Sequence, residues 1–138
     1  MLAAQMRARD LGASSFWLGL QTSTNLAMYV LGNAFIGRLI RRLPRRRLLL
    51  AGPVLAIAST ILLWKLGDYR LFPLVLGLQG LGGSLFWAPL EVTIAEETHP
   101  ERLAKNVGLF NLSWTGAQIV GASVCGALYE ADPSGPFI

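Results

Sequence analysis

Long uncharged runs separated by short charged stretches dominate the pattern of this chain. Residues 11–37 carry no formal charge, and neither do residues 48–64. We divide the chain into four largely apolar segments, over residues 15–36, 48–66, 71–95 and 104–129. Each reaches the roughly 20 residues that a helix needs to cross the hydrocarbon core of a bilayer. Since no segment alternates polar and apolar positions with a period of two, we predict an all-α bundle of four transmembrane helices.

The first and second segments are separated by a strongly basic stretch. Its six arginines are Arg38, Arg41, Arg42, Arg45, Arg46 and Arg47. Each arginine costs roughly 2.5–3.5 kcal/mol at the bilayer centre, so this stretch belongs in water or among lipid headgroups. With Arg102 and Lys105, the connections on this side hold eight basic residues, against four on the other side. The positive-inside rule therefore places residues 38–47 in the cytoplasm and predicts a multi-pass protein of the plasma or inner membrane.

The composition supports a membrane protein. Of the 138 residues, 53% are hydrophobic and 14% are charged, whereas soluble domains carry about 25% charged residues. The net charge of +4 comes largely from the arginine stretch. Because nucleic-acid-binding proteins spread their charge over an exposed face, anionic membrane lipid is the expected partner, and nucleic acid is not. The single cysteine, Cys125, excludes an internal disulfide.

Polar side chains within three of the segments are the candidates for a solute-binding cavity. Gln21 and Asn25 share one face of the first predicted helix, and Asn111 and Gln118 share one face of the fourth. The full set is Gln21, Asn25, Gln79, Asn111, Trp114 and Gln118. An aromatic ring beside amides suits an amphipathic organic solute. The alternative, which the sequence leaves equally open, is hydrogen bonding between packed helices.

Glu91 is the one acidic residue within the third segment. An intramembrane acid is a candidate for proton coupling. Its position one to two turns before Glu96 and Glu97 favours the alternative, an acid at the membrane interface. We also expect attraction between this acidic region and the arginine stretch, since both are predicted on the cytoplasmic face.

The basic stretch resembles a known family motif. Residues 37–47 are similar to the cytoplasmic loop between the second and third helices of the major facilitator superfamily. The pattern there is a glycine, three residues, Asp-Arg, any residue, glycine and two basic residues. Matching residues are Gly37, Arg42, Arg45 and Arg46, whereas Arg41 replaces the aspartate and Pro44 the second glycine. The resemblance implies a gating role for this loop, although the replaced aspartate is the residue thought to hold the inward gate.

The fourth segment resembles the glycine-patterned fifth helix of antiporters in the same family. Gly108, Gly121 and Gly126 fall on its glycines, and Ala117 is one of the small residues at its other positions. The resemblance implies that these four residues pack closely against another helix. It also implies that the chain corresponds to helices two to five of a twelve-helix transporter, with helices eight to eleven as the less favoured alternative.

Two functional hypotheses follow. The first is that the chain is an internal fragment of a secondary active transporter, which moves a small solute by alternating access together with the rest of the transporter chain. The second is a small structural or assembly membrane protein without a transport cycle. An enzyme is not expected, because the sequence offers no nucleophile paired with a base, no metal-ligand set and no cofactor motif. The end of the chain, residues 131–138, is interpreted as a loop leading into another transmembrane helix.

Overall fold

The computed structural model describes residues 1–132, and these residues are helical apart from short connections. In chain order the elements are α1 (Leu2–Asp10), α2 (Ser15–Arg42), α3 (Arg45–Lys65), a 3-10 turn (Tyr69–Leu71), α4 (Phe72–Glu97) and α5 (Pro100–Ala131). The described residues contain no strand, so the predicted all-α class is confirmed. The predicted loop at residues 131–138 falls mostly outside the described residues.

The basic stretch is mainly helical and turns sharply at one point. Helix α2 continues through Arg42, and α3 begins again at Arg45, so the turn is limited to Leu43 and Pro44. Proline disfavours helical geometry in the residue before it, and Leu43 is accordingly extended, with φ −121° and ψ 145°. The arginines at the end of α2 suit the negative end of its dipole. The arginines at the start of α3 lie at the positive end of the α3 dipole, which does not stabilise them.

Two stretches are long and apolar enough to cross a membrane by length and composition, namely Arg45–Lys65 and Tyr69–Glu97. Helices α2 and α5 also have the length, with 28 and 32 residues. Their amides and hydroxyl groups reduce their mean hydropathy. A bundle in which all four helices cross the bilayer therefore remains a prediction.

Helix α4 is the centre of the bundle and packs against both α2 and α3. Its glycines make this possible. The backbone of Gly80 lies directly against the carbonyl oxygen of Asn25 on α2. On the other side, a Cβ added to Gly82 would lie 3.1 Å from the carbonyl oxygen of Gly52 on α3. These glycines therefore allow close approach of the α4 backbone to α2 and α3.

Helix α1 was not predicted from the sequence. It packs against α2 and α5. It also shares a core with the ends of α3 and α4 that lie away from the basic turn, formed by Ala4, Ala8, Leu63, Phe72, Val75 and Leu76. The Gln5 side chain donates a hydrogen bond to Thr22 Oγ1 over 2.9 Å. With only nine residues and two buried alanines, α1 carries too weak an apolar pattern to be recognised.

Candidate functional site

A cavity of about 770 Å³ lies between α2, α3, α4 and α5. Among the residues that line it are five of the six predicted cavity residues, Asn25, Gln79, Asn111, Trp114 and Gln118. Glu91 lines it as well. The structure therefore brings together polar side chains from three helices that are up to 93 positions apart in the chain.

Asn25 both joins two helices and lines the cavity. Its Nδ2 donates a hydrogen bond of 2.7 Å to the carbonyl oxygen of Leu76 on α4, which ties the two helices together. The same side chain lines the cavity. Because the bond uses the amide nitrogen, the Oδ1 atom is left as the acceptor that a solute can use.

Aromatic rings form a continuous wall on the α4–α5 side of the cavity. The ring of Trp87 meets that of Trp114 edge to face, with centroids 4.2 Å apart, and that of Phe110 with centroids 5.7 Å apart. Phe86 extends the wall, with its centroid 5.1 Å from that of Trp87. Of these four rings, only Trp114 was predicted from the sequence as a cavity residue. The four-residue spacing of Phe110 and Trp114 was a signal for a shared face, but nothing in the sequence placed Trp87 opposite them.

Glu91 provides the one charged side chain among the described residues that line the cavity. Glu91 is exposed at the cavity, and no lysine or arginine is among the lining residues that the structure describes. Met1 also reaches the cavity. Burial lowers the pKa of its N-terminal ammonium. The wall thus offers amide groups, aromatic faces and one carboxylate.

Gln21 does not join this cavity. Its side chain is fully buried in the bundle, and within residues 1–132 neither of its amide atoms has a hydrogen-bond partner. An unpaired buried amide costs roughly 1–3 kcal/mol, so this position destabilises the packing that surrounds it.

In the predicted gating loop, Arg45 forms an ion pair with Glu96, and the expected attraction between the basic and acidic regions is confirmed. Gly37, Arg41 and Arg46 are exposed. Arg42 is exposed too, and it lines a separate groove on the opposite side of the bundle.

The predicted packing residues of α5 have no neighbouring helix in the described part of the chain. A Cβ added to Gly108, Gly121 or Gly126 would meet nothing within 4 Å, and Ala117 is exposed. Among the described residues, helix α5 contacts α4 through the aromatic wall and α1 through the Tyr129 hydroxyl, which donates to Asp10. The packing role of these small residues therefore stays a prediction.

Comparison with known proteins decides the family. The model of the Major Facilitator Superfamily matches residues 1–138. The chain belongs to the major facilitator superfamily. No curated protein and no solved structure matches it. Members of the major facilitator superfamily are membrane transporters rather than enzymes, so the family agrees with the apolar helices and places the protein in a membrane.

Proposed function

We propose that this chain forms part of the solute pathway of a secondary active transporter that works by alternating access. In this proposal α2 to α5 all cross the bilayer, and the connections α2–α3 and α4–α5 face the cytoplasm. The rest of the transporter chain completes the pathway. The observation that carries the proposal is the convergence of Asn25, Gln79, Asn111, Trp114 and Gln118 on one cavity.

The chemistry of the cavity indicates the class of solute. Its volume of about 770 Å³ falls within the range of roughly 300–1,000 Å³ that small-molecule sites occupy. The aromatic wall suits an apolar body, and amide groups fix polar atoms of a solute. Aromatic faces and a carboxylate both attract cations. We therefore propose a neutral or cationic amphipathic organic molecule as the solute, and we propose Glu91 as the group that attracts the cation.

Two probes of the same shape and opposite charge test this proposal. Tetraphenylphosphonium and tetraphenylborate are titrated into the detergent-solubilised protein, in a Trp17→Phe, Trp64→Phe background that keeps only Trp87 and Trp114. We expect saturable quenching of these two tryptophans by the cation and weaker quenching by the anion. Absence of saturable quenching by either probe would refute the cavity as a solute site, whereas equal affinity for both would refute only the charge preference.

A matched pair of variants tests whether Glu91 is the group that attracts the cation. Glu91→Gln should weaken cation binding about two- to fivefold, because an exposed charge pair contributes at most about 1 kcal/mol. Glu97→Gln removes the same charge from an exposed position outside the cavity lining, and it should leave binding unchanged. Equal effects of the two substitutions would show that the net charge of the protein, and not the cavity, controls binding.

A further inference from the structure

A second depression lies on the bundle and shares no lining residue with the solute cavity. This groove has a volume of about 600 Å³ and is bordered by α2, α3 and α4. Its lining residues are Leu31, Gly32, Phe35, Ile36, Arg38, Leu39, Arg42, Leu55, Leu81, Ser84 and Leu85. Apart from the serine and the two arginines, the lining is made of apolar side chains and one glycine.

The groove changes from apolar to cationic along α2. Leu31 and Phe35 line one end, and Arg38 and Arg42 line the end next to the basic turn. Because a helix rises 1.5 Å per residue, the distance along the helix axis from Leu31 to Arg42 is about 16 Å. A ligand that fills this groove therefore needs a long apolar part and an anionic group at one end.

The two arginines are available for such an anionic group. No carboxylate among the described residues pairs with either of them, in contrast to Arg45, which Glu96 engages. The guanidinium carbon of Arg38 lies 5.9 Å from the centroid of the Phe35 ring, so this arginine lies over the apolar part of the groove. The lining residues include no acidic side chain that would repel an anion.

We propose that this groove is a binding site for an anionic phospholipid, with one acyl chain along α2 and the headgroup phosphate held by Arg38 and Arg42. In a membrane protein, a groove at the headgroup level that combines leucines with paired arginines matches the two halves of such a lipid. A further helix of the protein is a weaker occupant, since it would need acidic side chains placed to pair with both arginines. The site shares no lining residue with the solute cavity.

The test compares phosphatidylglycerol with phosphatidylcholine of identical acyl chains. Both lipids are titrated into the detergent-solubilised protein, and the affinity is measured by native mass spectrometry. We expect tighter binding of the anionic lipid, and an Arg38→Gln, Arg42→Gln variant should lose about tenfold or more of that affinity. The matched control, Arg46→Gln, Arg47→Gln, removes the same charge from exposed positions outside the groove and should keep the affinity.

A second pair of variants tests the acyl-chain half of the site. Leu31→Gln places an amide in the groove, whereas Val30→Gln places it on the adjacent exposed face of the same helix. We expect only Leu31→Gln to weaken phosphatidylglycerol binding severalfold. The proposal is overturned by equal affinity for the two lipids, by equal losses in the two arginine variants, or by equal effects of the two glutamine substitutions.

Discussion

Arg45 at the start of α3 and Glu96 near the end of α4 form an ion pair, with 2.6 Å between Nη2 and Oε2. Their side chains are 36% and 58% exposed, so the pair contributes at most about 1 kcal/mol to stability. The ion pair matters more for the arrangement of the helices than for the stability of the protein. It joins the first turn of α3, where arginines oppose the helix dipole, to the acidic end of α4.

The first prediction concerns this ion pair. Arg45→Glu or Glu96→Arg alone should lower the free energy of unfolding, because each places two like charges within a few ångströms of one another. The double charge swap should recover roughly 0.2–1 kcal/mol of that loss. The free energy of unfolding of all four proteins of the cycle is measured by titration with a denaturing detergent. Arg46→Glu is the control, and additive effects of the two single reversals would show that the ion pair has no energetic role.

The second prediction concerns the sidedness of the basic turn. In a Cys125→Ser background, Arg46→Cys places a single thiol in the first turn of α3, and Asp68→Cys places one in the connection that follows its other end. In intact cells, a membrane-impermeant maleimide should label the thiol at position 68 and leave that at position 46 unlabelled, because the basic connection is predicted in the cytoplasm. In permeabilised cells, the maleimide should label the thiols at both positions. The opposite pattern in intact cells would reverse the proposed orientation.

The third prediction concerns the contact between α2 and α4. A Gly80→Ala methyl group has no space beside the carbonyl oxygen of Asn25, so the two helices must separate. Overpacking of this kind costs about 1–3 kcal/mol in unfolding free energy. Gly19→Ala is a matched control on α2, where an added Cβ meets nothing within 4 Å, and it should be neutral or stabilise by about 0.5–1 kcal/mol. Similar effects of the two substitutions would contradict the close packing at Gly80.

The fourth prediction concerns transport by the 138 residues alone. The glycines of α5 face no described neighbour. We therefore expect no uptake of a solute by sealed vesicles that contain only this polypeptide, because alternating access needs a second set of helices to move against the first. The measurement is the time course of tetraphenylphosphonium accumulation, with protein-free vesicles as the control. Saturable uptake above that control would refute the proposal that the rest of a transporter chain is required.

The sequence by itself determined the helical class, the position of the basic turn and the family. These features depend on local properties, such as the length of an uncharged run, the backbone restriction that Pro44 imposes and the motif around Gly37. It also selected most of the polar residues of the cavity, because amides four or seven positions apart lie on one face of a helix.

Only the tertiary structure decided which helix is central and which side chains meet across helices. Gln21 and Asn25 share one predicted helix face, yet Asn25 lines the cavity while Gln21 is buried without a hydrogen-bond partner among the described residues. The pairing of Arg45 with Glu96 and the approach of Trp87 to Trp114 are likewise absent from the local pattern. The physical reason is that the rotation and register of each helix depend on where small residues such as Gly80 and Gly82 allow two backbones to approach, and that depends on contacts between residues distant in sequence.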